Sequence, residues 1–397
     1  MNRTALTVTS IASLAIIAAA AMISARVVAG PLDPPSGAVS PTYKTLSEVE
    51  PRIAINATNT PGDANSVFRI AQPGSYYLTG NLTGQAAKHG IEIAASGVNL
   101  DLNGFDLVGV TSSLDGIATS VSSLRNITIR NGSVRNWGDD GVDLYSTFTK
   151  VARVEGVHST GNVGYGIRLG DGGLVSDCHA SYNGVSGISG ALTVVACVAR
   201  NNTQYGISIV NGGTITDSSA FSNTLYGIYA GNGCTITHCS ARSNGDGMIA
   251  FGESLVQGCT AVGNTGDGIN GQQGTTILDC VCSENGADGI VVLNMSLVRG
   301  NTCTNNLSDG IFVSSFDGNR IEGNHMSGNA RGLHVIGAGN VIVRNTANAN
   351  TAVNWSIVAN NVVGPILNRT APASPAISGD SAASSLGSTD ANANYTY

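Results

Sequence analysis

Residues 202–221 read Asn202-Thr-Gln-Tyr-Gly206-Ile-Ser-Ile-Val-Asn-Gly-Gly-Thr214-Ile-Thr-Asp-Ser-Ser219-Ala-Phe221, and at Asn223 the pattern restarts as Asn-Thr-Leu-Tyr-Gly227-Ile. A glycine followed by an apolar residue recurs at Gly90, Gly116, Gly141, Gly166, Gly187, Gly206, Gly227, Gly247, Gly268, Gly289, Gly310 and Gly332. The steps shorten from 26 residues to 19–22, and 21 is the commonest. A fixed period of about 20 residues marks a solenoid. Within each period the apolar residues alternate with a spacing of two, as strands require, and no helical spacing is present. Three short strands per turn of chain make a coil of a β-helix. The expected fold is therefore all-β: a single right-handed parallel β-helix solenoid of about twelve coils with end caps, about 53 Å long at the strand spacing.

Aligned coils expose columns. Asparagine stands four residues before the glycine at Asn162, Asn183, Asn202, Asn223, Asn264, Asn285 and Asn306, and three before at Asn244 and Asn329. Stacked asparagines can bond amide to amide from coil to coil, which satisfies polar groups in a buried turn. A second column holds Cys178, Cys197, Ser218, Cys239, Cys259, Cys280, Asn301, Asn324 and Asn345. Two residues further on lie Ala180, Ala199, Ala220, Ala241, Ala261, Cys282 and Cys303. Small residues in register predict interior packing, so the cysteines are expected to be free, buried and inert. Parallel side chains fit disulfide geometry poorly. Cys280 and Cys282 are the pair where oxidation remains open.

Four segments are expected: a signal peptide at 1–29, a linker, cap and first coil at 30–85, the β-helix at 86–367, and a disordered tail at 368–397. The apolar run from Ile11 to Ile23 suits an export signal and is too short to span a bilayer, with cleavage expected after Ala29. The expected location is thus secreted or at the cell surface, with no transmembrane span after cleavage. Only 11% of residues are charged and the formal net charge is −7, which argues against a nucleic-acid partner. Val67-Phe-Arg-Ile and Ser75-Tyr-Tyr-Leu read as strands of the cap and first coil, and Trp355-Ser-Ile-Val as one of the last strands. Both ends of a solenoid expose strand edges and need covering.

The Asn-x-x-x-Gly-Ile-x-Val/Ile unit and its Val-x-x-Cys/Asn half-repeat resemble the parallel β-helix repeat of the pectate-lyase-like superfamily, over roughly residues 75–360. Gln72-Pro-Gly-Ser-Tyr-Tyr-Leu and Gly97-Val-Asn-Leu-Asp-Leu-Asn-Gly-Phe are similar to exported bacterial β-helix proteins. The resemblance implies the fold and leaves the chemistry open, because this scaffold carries lyases, hydrolases, epimerases and inactive adhesins.

Catalysis on carbohydrate needs ionisable side chains from neighbouring coils on one outer groove. The candidates are Asp139, Asp140, Asp143 and Arg168. Asp139-Asp140 after glycine resembles the paired aspartates of polygalacturonases, where one carboxyl acts as acid and one as base. That family's Asn-Thr-Asp, Gly-His-Gly and Arg-Ile-Lys signatures are missing, and of an epimerase-like Asp-Pro-His-Asp only Asp140 and Asp143 remain. The plain alternative is an Asp143–Arg168 surface ion pair worth under about 1 kcal/mol. His158 and His179 are expected to stack in solvent.

A second candidate is the residue before the glycine: Tyr165, Tyr205 and Tyr226, then Asp246, Asp267, Asp288 and Asp309. Tyrosines there could stack on sugars, and the aspartates could bind hydroxyls or a surface calcium. Equally, Asp and Tyr are ordinary turn-forming residues at this place. No cofactor or resident metal is expected, and the expected partner is a polysaccharide or cell-surface glycan. Two functions remain: a non-catalytic surface or matrix protein that grips a polysaccharide, or a polysaccharide lyase or glycoside hydrolase with a divergent site near residues 139–171.

Overall fold

The computed structural model describes residues 50–119, 121–145, 150–170, 172–368 and 390–397. The expected signal peptide lies outside the described residues. From Arg52 on, the described chain forms one unit of short parallel strands and turns, with no α-helix among the described residues.

Each coil supplies three strands, and each strand pairs in parallel with its equivalent one coil on. Tyr226–Ala230, Thr235–Thr237 and Ser240–Arg242 pair with Asp246–Ala250, Leu255–Gln257 and Thr260–Val262. These define a first, second and third ladder, named in chain order. The first ladder has fourteen members, from Ser66–Ile70 to Val353–Ile357. Twelve glycines mark it in the sequence because its first and last strands, SVFRI and VNWSI, carry none.

Alternation along each strand sends every second side chain inward. Ile207, Ile228, Met248, Ile269, Ile290, Ile311 and Leu333 form one such file, each fully buried. The marker glycine is dictated by space. A Cβ on Gly206 would lie 2.6 Å from the Gly227 carbonyl oxygen and 2.9 Å from the Ala220 Cβ. The turn therefore requires glycine, whether the third-ladder residue facing it is alanine, as here, or Cys282, Cys303 or Met326 on later coils.

All three turns of the coil carry a capping column. In the turn from third to first ladder, each asparagine Oδ1 accepts the backbone N–H and the side-chain Nδ2–H of its equivalent one coil earlier. This runs unbroken from Asn162 to Asn350, with Nδ2–Oδ1 distances of 2.8–3.1 Å. Trp137, fully buried, closes its start by donating its N–H to Asn162.

In the turn from second to third ladder, the cysteine column does the same work. Cys259 Sγ accepts the Cys239 N–H at 3.4 Å, Cys280 Sγ accepts the Cys259 N–H at 3.5 Å, and Ser218 Oγ accepts the Cys197 N–H at 3.1 Å. Asn301, Asn324 and Asn345 continue the same column. Cys178, Cys259 and Cys280 are thus turn caps as well as filler, whereas Cys282 and Cys303 stack inside the third ladder. All eight cysteines are buried and free, Cys280 and Cys282 included. Burial pushes the Cys282 thiol up and keeps it protonated. The remaining turn is capped by Ser254, Asn319, Asn340 and Asn361, which accept the N–H groups of Cys234, Ser296, Asn319 and Asn340.

The expected disordered tail at 368–397 is corrected at its end. Asn394–Thr396 is a strand held between Thr346–Asn348 and Ile366–Asn368. Asn394 supplies the next amide of the capping column, 2.8 Å from the Asn345 N–H, and Thr396 receives the Trp355 indole N–H. Polar composition pointed to disorder, but a stacking column accepts an asparagine from any distance along the chain.

Candidate functional site

Where the residue before the marker glycine is an aspartate other than Asp309, its carboxylate bonds to the backbone of the next coil, and this decides what it can do. Asp115 Oδ1 accepts the Asp140 N–H at 2.9 Å, and Asp140 Oδ1 accepts the Tyr165 N–H at 2.6 Å. Further along, Asp246, Asp267 and Asp288 each accept the N–H of the next aspartate, at 2.8, 3.1 and 2.7 Å. The last carboxylate, Asp309, is held by Arg331 at 2.5 and 3.1 Å and by His334 at 2.8 Å. The aspartate file is therefore a capping ladder with one oxygen of each of its first three members committed. Its charges are crowded: burial, then repulsion from Asp288 and Asp246, pushes Asp267 up to about 6, and burial first also raises Asp288.

The early candidates converge. Carboxylate oxygens of Asp115, Asp139 and Asp140 lie within 4.8 Å of one another, the one such trio among the described residues. Asp115 and Asp140 are buried and Asp139 is exposed. Burial is the main cause that pushes Asp140 up to about 7, aided by Asp143, Asp115 and Asp139. Burial likewise raises Asp139 and Asp143. His89 Nδ1 lies 3.1 Å from Asp115 Oδ2, and this contact raises the imidazole. The trio offers hard oxygen ligands of the kind calcium takes, although Asp115 and Asp140 each spend Oδ1 on a backbone amide.

The expected Asp143–Arg168 ion pair is corrected. The two are register partners on adjacent coils, but Asp143 Oδ1 is taken by the Tyr145 N–H at 2.8 Å. Arg168 reaches Asp140 instead, at 3.7 Å. Its guanidinium lies 4.2 Å from the Tyr145 ring centroid and 4.9 Å from that of Tyr165. A flat guanidinium stacks favourably on ring faces.

Beyond Arg168 the first ladder opens into a groove of about 430 Å³, lined among others by Tyr145, Tyr165, Arg168, Ser189, Ser208 and Tyr229. Tyr229 joins the expected Tyr205 and Tyr226 in one aromatic group. Ring centroids are 5.5 Å apart for Tyr205–Tyr226, 5.0 Å for Tyr205–Tyr229 and 6.0 Å for Tyr226–Tyr229, with Phe251 a further 5.2 Å from Tyr229. All three tyrosines are half-buried. Sequence reasoning overlooked Tyr229, Tyr145, Asp115 and His89. Tyr229 was within reach, because it falls in the outward position of its strand, in file with Arg168. His158 and His179 stack at 4.8 Å on the third ladder, away from this groove.

The family model described as "Right handed beta helix region" matches residues 81–235, 191–306 and 229–364. No curated protein sequence matches. Among solved structures, the A-module of the Azotobacter vinelandii mannuronan C-5 epimerase AlgE4 superposes with a TM-score of 0.56 at 15% identity, covering 68% of this chain and 91% of that one. The periplasmic alginate epimerase AlgG gives 0.42 at 12% identity, over 77% of this chain and 78% of that one. The catalytic domain of a GH87 α-1,3-glucanase gives 0.39 at 13% identity, over 81% and 68%. At such identities the likeness is one of fold.

Proposed function

Since the chain belongs to the right-handed β-helix family, we propose that it is an exported protein that seats a polysaccharide along the first ladder. The observation that carries this reading is the continuous surface of Tyr205, Tyr226 and Tyr229 running into the Tyr145–Arg168–Tyr165 groove. Aromatic faces take the apolar faces of sugar rings, and their hydroxyls reach sugar hydroxyls. The mannuronan-modifying activity named for the structural neighbour supports a polysaccharide as the ligand class. The aspartates of the same face oppose a polyanion, so the glycan expected here is neutral.

Replacing Tyr205, Tyr226 and Tyr229 together by alanine tests the reading by affinity electrophoresis against a panel of neutral glucans and mannans. Retardation of the parent protein and its loss in the variant, at a nearly unchanged melting temperature, is the expected result. A parent protein that no neutral glycan retards, or a variant retarded equally, overturns it.

One observation favours a second reading, turnover at the carboxyl cluster. Asp140, raised to about 7, carries a proton near neutrality beside the exposed Asp139. An acid beside a base is the pairing glycosidic cleavage uses. Binding remains the preferred reading because Asp140 is 3% exposed with Oδ1 committed to Tyr165. New reducing ends or unsaturated sugars, lost in Asp139→Asn and Arg168→Ala and retained in the tyrosine variant, would reverse that preference.

A further inference from the structure

The third ladder presents a different surface. Arg200, Phe221 and Arg242 are register partners on three successive coils, all facing outward. The two arginines are exposed and Phe221 is half-buried between them. Two residues back on the same strands stand Ser219 and Ser240, also register partners. Ser222 and Ser243 follow in left-handed turns, at φ 57° and 55°. Phe221, Arg242 and these four serines line a groove of about 380 Å³ that shares no residue with the tyrosine groove.

Among the described arginines, only Arg125 and Arg299 share with Arg200 and Arg242 the lack of a carboxylate within ion-pair distance. Nine arginines elsewhere lie within 3.7 Å of a carboxylate oxygen. Arg200 and Arg242 have no carboxylate partner among the described residues. Arg200 rests only against the rings of Tyr182 and Phe221, at 5.8 and 5.9 Å. Asp217, the carboxylate nearest Arg200 in the chain, faces His238 at 3.9 Å, and Asp246, nearest Arg242, accepts the Asp267 N–H at 2.8 Å. In a protein with a formal charge of −7, two unneutralised guanidinium groups flanking an aromatic ring are a local reversal of sign.

We infer that the groove at Arg200, Phe221 and Arg242 is a second ligand site, for an acidic polysaccharide that carries its charge on alternate sugars. Arg200 and Arg242 stand two coil steps apart on the ladder, about 9.6 Å between their backbone positions at the strand spacing. That suits two anionic groups separated by one intervening sugar, whose ring lies on Phe221. Guanidinium groups hold carboxylate or sulfate through paired hydrogen bonds, and the serine hydroxyls serve the sugar hydroxyls. The site is independent of the tyrosine groove, on another ladder and of opposite charge.

Titration calorimetry on the full chain with hyaluronate, dextran sulfate and neutral dextran tests the site. Binding of hyaluronate is expected, weakening as salt rises, and any heat from neutral dextran should be unchanged in Arg200→Ala/Arg242→Ala and lost in the tyrosine variant. Dextran sulfate separates the two kinds of anion: binding there too means that the site reads charge in general, and its absence means that it reads carboxylate. Arg200→Ala/Arg242→Ala should weaken binding by about tenfold or more, as loss of charge-assisted hydrogen bonds does. The lysine pair R200K/R242K should recover part of it. The tyrosine variant of the first ladder should bind hyaluronate as the parent does. The inference is overturned if neither anionic probe binds, if the alanine pair binds unchanged, or if the tyrosine variant abolishes binding.

Discussion

Asn244 and Asp246 stand two residues apart in the same turn, yet they belong to ladders of opposite sense and different cost. Asn244 donates forward: its N–H and its amide both bond to Asn264 Oδ1, at 3.0 and 3.1 Å. Asp246 accepts: its Oδ1 takes the N–H of Asp267 at 2.8 Å. An amide carries donor and acceptor on one neutral group, so each asparagine serves the coils on both sides. A carboxylate has only acceptors and a charge, so each added member repels the last. The structure shows the consequence. The asparagine ladder runs unbroken from Asn162 to Asn350, whereas the aspartate ladder ends at Asp309, where Arg331 neutralises it and His334 lies within hydrogen-bond distance. Where neither residue is used, at Tyr205 and Tyr226, the column cannot cap the next coil through its side chain and is free to form a surface.

The largest test of this contrast is to put a charge into the asparagine ladder. Asn264 is 2% exposed and donates its amide to the Ala241 carbonyl at 3.3 Å and to Asn285 at 2.9 Å. Asn264→Asp turns both donors into repelled oxygens and should cost about 3–5 kcal/mol in chemical denaturation. A loss below about 1 kcal/mol would mean that the ladder tolerates charge and that the contrast is false.

Next comes the pH dependence of the aspartate ladder. Asp267 is raised to about 6 in the folded chain, above its unfolded value. The folded state therefore binds more protons, and the ladder is most stable at low pH. That stability is lost as pH rises from about 4, the ordinary aspartate value, through about 6. Allowing for solvent screening at this partly exposed group, the loss should be about 1 kcal/mol. Asp267→Asn should be more stable than the parent near pH 7 by a similar amount, with the advantage gone near pH 4. Unfolding curves at the two pH values decide it, and an advantage independent of pH would exclude the charge explanation.

The smallest effect is expected in the cysteine column. Ser218 already accepts the N–H that its cysteine neighbours accept elsewhere, so Cys239→Ser should change stability by less than about 1 kcal/mol. Native alkylation should leave Cys239 and Cys259 unlabelled, both being 1–2% exposed, and unfolding without reductant should label them. Disulfide-linked peptides would break the reading of this column as thiol caps.

How far the fold was legible follows from these particulars. Nine asparagines of the long ladder could be read from their offset to the glycine, because parallel stacking turns a period in the chain into a column in space. The Asn319–Asn340–Asn361 column escaped notice, since coil length varies and shifts that turn relative to the glycine marker. Trp137 also escaped, because a single large residue that closes a ladder has no period.

By itself the sequence determined the solenoid, its three short strands per coil, the buried free cysteines and the tyrosines before the glycines. Each of these is a repeated local choice, and repetition makes it visible. Only the tertiary structure decided which neighbours those residues take. Arg168 lies over two tyrosine rings and reaches Asp140 rather than its register partner Asp143. The aspartates cap backbone amides before they can meet a ligand. Asn394 completes a column begun at the far end of a long stretch of chain. Stacking sets the register, but competition among nearby donors and acceptors sets the partner, and that competition is written in distances that a period cannot express.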